Sequence, residues 1–444
     1  MIEARAIIAT TRFGFAARQG DLAAAGSDPR GWVLGQLRQR PAPLAGDLPP
    51  SAKMVAAMLQ ARQDKKAGET QDSKVERDEL RATYLAEVGA RLNAAIASDT
   101  PLHERLVQFW SNHFTVSAIR PVVRGFVGAF EREAIRPNVT GRFSDMLLAV
   151  ARHPGMGFYL DNVQSIGPNS RFGQRRNKGL NENLGREILE LHTLGVDGGY
   201  TQQDVEALAR ILTGWTIARL QDPNPGTFRF APAIHEPGPK LLLGKTYAEA
   251  GEEEGIAALH DLARHPATAH HIATKLARHF IADEPPAASV ERIAKVFREG
   301  DGDLRQVVEA VIAENAAWEQ PFAKVRTPTE LVISACRAAG LRSVEAQPLV
   351  GSLRVLDQPA FVAPSPAGWP DIASAWISPE SVLRRAEWCQ SFAAKLPDPP
   401  DPVEIANAAL GDALPDEAAQ AIRRAPDRRI GLALLLASPQ FQRR

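Results

Sequence analysis

The sequence has little of what usually announces a function. Only two cysteines occur in 444 residues. Cys336 and Cys389 lie far apart in helical patterns and form no CxxC pair, which excludes a disulfide scaffold and a cysteine-based metal or redox centre. They read as buried thiols. Net charge is also missing: Lys plus Arg and Asp plus Glu each total 52. No global field therefore favours nucleic acid or an anionic membrane. No apolar run reaches the ~18 residues that a membrane span requires. The opening MIEARAIIATTRFGFAARQG carries an early Glu3 and lacks a long apolar stretch with a small-residue cleavage site, so it does not read as a secretory signal. A cytoplasmic location is the expectation, with export alongside a partner left open. No P-loop, HExxH or GxSxG motif is present, and the Glu-x-x-His pair of di-iron bundles is missing.

Apolar content of 44% and charged content of 23% are ordinary for a globular chain, and the length is ample for a core. Helical periodicity dominates. The expected fold class is all-α: a large multi-helix orthogonal bundle with one small β-hairpin insertion near 227–245. A single domain over 1–444 is expected, with two lobes at 1–220 and 255–444 joined by a 220–254 insertion. The runs at 227–230 and 240–244 are the only convincing strands.

The densest chemistry lies between Asn181 and Trp215. A helix should start near Asn181 or Asn183 and stop at Gly195. Leu184, Ile188, Leu191 and Leu194 share one face of it, and Glu187 falls inside that stripe with Glu190 and Asn183 on its border. Arg186 lies just beyond. His192 points about 140° away from Glu187. A carboxylate turned into a core needs a partner, and the plain reading is a structural salt bridge to Arg186 or Arg210. Thr201 and Asp204 resemble a capping box that opens a second helix, whose buried face carries Val205, Leu208, Ala209, Leu212 and Trp215.

Elsewhere, Leu106, Phe109, Trp110 and His113 recur at helical spacing, so His113 is drawn onto an apolar face. His271, Lys275 and His279 share one face of a helix that opens at Pro266. An ammonium between two imidazoles argues against a metal triad there. The loop at 164–179 carries Arg171, Arg175, Arg176 and Lys178 and could hold a phosphate or carboxylate, or simply be a surface loop. Residues 62–81 mix both charge signs, as a solvated face does. The proline- and tryptophan-rich stretch 359–376 reads as a wall or lid.

These residues resemble a known family. Phe109-Trp110-Ser111-Asn112-His113-Phe114, the block from Asn181 through Gly195, Ala209-Arg210 with Thr213-Gly214-Trp215, and His265 through Phe280 are similar to elements of the domain-of-unknown-function 1800 family. Gly368-Trp369 and Trp376 fall where its C-terminal Gly-Trp segment is expected. The similarity runs over roughly residues 5 to 440 and implies a shared fold but no settled activity. His235, in the insertion, matches a family position and could reach over the site. Relatives are often exported. A sulfatase-like neighbour of the domain-of-unknown-function 1501 group is often encoded beside them, which implies a possible assembly partner.

The residues support two functional expectations. The first is an enzyme acting on a small anionic or polar substrate. Glu187, Glu190, His113 and Lys275 are its catalytic candidates, and Arg186, Asn183, Asp161, Trp110, Trp215, Arg210 and His235 its substrate-binding ones. Glu187, Glu190 and His113 could also hold a divalent metal for hydrolysis, or act in acid–base chemistry without one. The alternative is a non-catalytic helical scaffold that assembles with the sulfatase-like neighbour. Oligomeric state is open.

Overall fold

The computed structural model describes residues 2–39, 41–68, 73–176 and 179–444. Lys178 and part of the charged 62–81 stretch therefore lie outside the described residues. The chain is all-α, with two small antiparallel strand pairs among the described residues, set between long helical runs.

The helices that frame the main cavity and its supports are α1 (Ile2–Thr11), α2 (Ser73–Ala97), α3 (Pro101–His113), α4 (Gln202–Ile211), α5 (Glu252–Arg264), α6 (Pro266–Phe280), α7 (Pro328–Ala338), α8 (Pro379–Lys395) and α9 (Arg428–Ala437). Their ends follow local rules. Thr201 and Asp204 form a reciprocal capping box at the start of α4, and Thr327 and Glu330 do the same for α7. Pro266 occupies the first turn of α6, where its missing amide costs nothing, and the His265 ring accepts from the Ala267 amide. The expected apolar face of α4 is buried through Val205, Leu208, Ala209 and Leu212 to Trp215.

Apolar side chains gather in two cores. One runs from α1 through α3, α4 and α6 as far as Trp318. The other joins α2, α7, α8 and α9. Tyr84 and Phe361 pack against both. Cys336 and Cys389 are free, buried thiols whose pKa burial pushes up to about 12.

Two local expectations are corrected. The runs at 227–230 and 240–244 do not pair with each other. Phe228–Phe230 pairs with Trp215–Ile217, and Lys240–Leu242 with Lys245–Tyr247. Pairing followed the nearest extended segment: the tight turn at Leu243-Gly244 favours Lys245–Tyr247 as the partner of its own run. The Asn181–Gly195 helix is also not uniform. Asn183–Glu187 is α-helical, and Ile188–His192 forms a wider π turn. The extra residue in that turn shifts the helical phase of its C-terminal end, so His192 is fully buried instead of facing away.

Candidate functional site

A cavity of about 440 Å³ opens between α3, α6 and the irregular stretch 358–372. Helical spacing explains the α6 wall. His271, Lys275, Arg278 and His279 face the cavity, while Ala269, Ile272, Ala273, Leu276 and Phe280 bury the opposite face. From α3 come Phe109, Asn112 and His113.

The 358–372 stretch forms a strap across the opening, tied down by polar contacts. The Asn112 side chain donates to the Trp369 carbonyl at 2.8 Å and accepts from the Trp369 amide at 2.7 Å. Ser117 donates to the Ala363 carbonyl, and the Ala118 amide to that of Phe361. Gly368 makes this approach possible: its φ is +81°, and a Cβ there would lie 2.4 Å from the Asn112 carbonyl oxygen. Two segments far apart in sequence, the Phe109–Phe114 block and Gly368-Trp369, thus meet at one clamp.

The charges behind the cavity are almost fully paired. Glu330 lies between Arg105 at 2.5 Å and Arg444 at 3.1 Å. Although burial alone would raise it, the two guanidiniums bring its carboxyl down to about 2. Asp371 meets the His279 Nδ1 at 2.5 Å and Lys324 at 3.2 Å. Burial opposes its charge, but His279, Lys324 and Arg444 hold the carboxyl well below its ordinary range. Arg91, on the same wall, pairs with Glu131 at 2.8 Å.

Lys275 differs. It makes no hydrogen bond and no ion pair among the described residues, and only the more distant fields of Asp371 and Arg278 reach it. Its side chain keeps some exposure to the cavity, yet protein crowds it enough that burial lowers its ammonium pKa to about 8.

The imidazoles divide by task. His113 donates from Nε2 to the His192 carbonyl at 3.1 Å, and His271 donates from Nε2 to the Leu191 carbonyl, also at 3.1 Å. These carbonyls end the π turn, where a helix leaves acceptors without internal donors. Burial pulls His113 well below its ordinary pKa and His271 down to about 4, so both rings are neutral donors near pH 7. His279 makes a different contact. Its Nδ1 hydrogen goes to Asp371, its ring lies against Phe109 and Phe280, and its Nε2 is enclosed without a partner among the described residues.

Of the catalytic, substrate-binding and metal candidates named from the sequence, His113 and Lys275 line this cavity. Glu187 and Asn183 border a separate recess of about 380 Å³, with Ser117, Arg120, Tyr159 and the strap at 363–366. Glu187 is half-buried and makes no salt bridge among the described residues: Arg186 pairs with Glu182 at 2.9 Å, and Arg210 with Glu206 at 3.3 Å. Burial, reinforced by Glu190, raises the Glu187 carboxyl. Asp161, held at φ +59°, takes a two-pronged grip from Arg120 at 2.7 and 2.8 Å. Trp110 is enclosed among Phe109, Phe114 and Phe143. Trp215 is buried under the Arg152 guanidinium and against Phe228.

His235 does not reach over the cavity. Its Nδ1 bonds the Thr213 carbonyl at 2.8 Å, and its Nε2 faces Glu254 at 3.1 Å beside the buried Lys240. Among the described residues no three His, Cys, Asp or Glu side chains gather as a ligand set for a metal ion.

Arg278, His279 and Asp371 join the cavity without having been candidates. His279 was visible from its spacing to Lys275. Asp371 arrives through the strap and gave no local signal. The arrangement offers a cation without a counter-ion, a polar rim and an imidazole braced by a carboxylate, which suits recognition of a small anion. Among the described residues no helix is long and apolar enough to cross a membrane. A family model described as protein of unknown function (DUF1800) matches residues 8–443. No curated protein and no solved structure matches the chain.

Proposed function

Because the chain belongs to the DUF1800 family, whose description carries no activity, its own side chains must supply the reading, and we propose that the cavity binds a small anionic ligand at Lys275. One observation carries this: Lys275 is the cation on the cavity wall that has neither ion pair nor hydrogen bond among the described residues, while Arg91 and Glu330 beside it are paired. Holding an ammonium in such a place without a partner opposes folding, since burial disfavours the charged form. A bound carboxylate or phosphate would reverse that cost. Arg278, one turn of α6 away on the same wall, adds a second cation.

The cavity is of a size for a metabolite, within the range of ordinary small-molecule sites. The strap, fixed by Asn112, closes one side and limits water around the bound charge. This supports the enzyme expectation in narrower form, with Lys275 and Arg278 placing the substrate. Isothermal titration with a panel of small carboxylates and inorganic phosphate checks it. Saturable binding that falls at least tenfold in Lys275→Met is expected. Absence of binding to every member would refute it.

The scaffold reading, with a sulfatase-like protein as partner, draws support from a different place. Helices α8 and α9 run side by side and leave Val382, Leu383, Ile430 and Leu434 exposed. Co-expression with that partner, comparing wild type with Leu383→Asp, distinguishes it: capture lost in the variant, with anion binding intact, would make the two readings separate functions of one chain.

A further inference from the structure

The cation of the anion pocket is also an amine within reach of a ligand. His113 Nδ1 and His279 Nε2 on the same wall lack partners among the described residues, but both are sealed from solvent. The Lys275 Nζ lacks a partner too, yet it is not among those sealed atoms, and its side chain keeps part of its surface in the cavity. Asp371 does not hold its protons, being committed to His279 and Lys324. The imidazoles around it are those of His113 on α3, His192 on the π turn and His271 on α6. Burial pulls all three below their ordinary pKa, His192 to about 3, so they are neutral near pH 7 and give the ammonium no counter-charge.

Such surroundings favour the free base. Burial lowers the Lys275 pKa to about 8, with Asp371 opposing the change and Arg278 assisting it. At pH 7 that leaves roughly several hundred times more uncharged, nucleophilic amine than a lysine in water has. Arg278 follows three residues later on α6, and side chains at i and i+3 start about 5–6 Å apart. Its Nε donates to the Asp283 carbonyl at 3.2 Å, and no carboxylate pairs with it among the described residues. A free amine beside an unpaired guanidinium suits a molecule that carries an electrophilic carbon and a carboxylate close together.

We propose that Lys275 is a nucleophile that condenses with the carbonyl group of a small oxo acid, whose carboxylate is held by Arg278. This rests on the anion-pocket reading and goes beyond it by assigning a covalent step. The nitrogen lone pair of the free amine forms a bond to the carbonyl carbon, and the carbonyl oxygen takes up a proton. Loss of that oxygen as water then leaves a protonated imine. Both hydrogens of the water come from the lysine ammonium, so nothing is oxidised or reduced. The positive charge at position 275 persists on the imine nitrogen, beside the bound carboxylate. The adduct therefore keeps the charge match that draws the acid in.

The test incubates the full-length protein with pyruvate, 2-oxobutyrate or acetoacetate and sodium cyanoborohydride, which reduces an imine to a stable secondary amine. Peptide mass mapping then locates the adduct. Labelling of Lys275 about tenfold faster than any other lysine of the chain is expected. Excess lactate, which has the charge but no carbonyl, should slow it by occupying the pocket. Arg278→Met should lower the rate with the oxo acids and leave the rate with neutral propanal unchanged. Isothermal titration of wild type with lactate and phosphate, run in parallel, separates the covalent step from anion binding. Anion binding with Lys275 labelled no faster than exposed lysines overturns the covalent step alone. An unchanged oxo-acid rate in Arg278→Met overturns the seat of the carboxylate. Neither binding nor labelling overturns the anion pocket and this inference with it.

Discussion

Two recesses border one strap, and they handle charge in opposite ways. In the cavity, carboxylates Glu330 and Asp371 are each shared among cations, and the unpaired group is an ammonium, Lys275. In the outer recess the lining cation, Arg120, is engaged by Asp161, and the lining group without a salt bridge among the described residues is a carboxylate, Glu187. Burial alone does not distinguish a binding site from packing, because both recesses contain half-buried charge. The difference is in the supporting structure. Lys275 faces a wall whose other charges are fixed by paired neighbours, so a ligand meets a rigid surface. Glu187 faces a more open recess beside proline-rich backbone, where water can solvate it.

The largest effect should come from breaking the paired side. Glu330→Gln leaves Arg105 buried without its counter-charge and Arg444 with only Asp371 at 3.8 Å, and a loss of about 3–5 kcal/mol in urea unfolding is expected. The wild-type dependence on acid has a definite sign. The Glu330 carboxyl is depressed from 4.5 to about 2 in the folded state, so its stabilisation is full above the ordinary value and drains away as pH falls from about 4.5 toward 2. Glu330→Gln should lack that part of the acid transition.

The strap comes next. Asn112→Ala removes both contacts to Trp369 and leaves that backbone partly unsatisfied. A cost of about 1–3 kcal/mol, with faster proteolytic cleavage within 358–372, would mark the clamp. Unchanged cleavage would mean that the strap is held by its apolar contacts alone.

Lys275→Met should not destabilise the protein at neutral pH, which separates it sharply from Glu330→Gln. The ammonium titrates near 8 when folded and near 10.5 when unfolded. Between those values the unfolded chain binds more protons, so wild-type stability relative to Lys275→Met should rise as pH climbs through that window. A flat difference across it would place Lys275 in free solvent. The smallest effect belongs to Glu187→Gln. Folding raises that carboxyl, so removing its charge should stabilise slightly at pH 7, within about 0.5 kcal/mol, and leave anion binding in the cavity unchanged.

Local rules carried much of the fold. The Thr201–Asp204 cap, the buried face of α4 and the shared face of His271, Lys275 and His279 all come from spacing within one helix. What spacing could not supply was anything decided by a distant segment. The π turn at Ile188–His192 depends on His113 and His271, from two other helices, which satisfy its last carbonyls by donating to them. Without that turn, a regular helix puts His192 on another face, about 140° from Glu187. Asp371 is a second case: nothing in its own neighbourhood marks it as the brace for His279, because the contact spans 92 positions of chain. The strand runs were visible, but their partners were chosen by turns and by the end of α4.

The most direct test is a shift in melting temperature measured for wild type, Glu187→Gln and Lys275→Met across one panel of small carboxylates and phosphate. Stabilisation by the same anion in wild type and Glu187→Gln, and its loss in Lys275→Met, is the predicted pattern. Equal stabilisation in all three proteins would contradict the assignment of the site to the inner cavity.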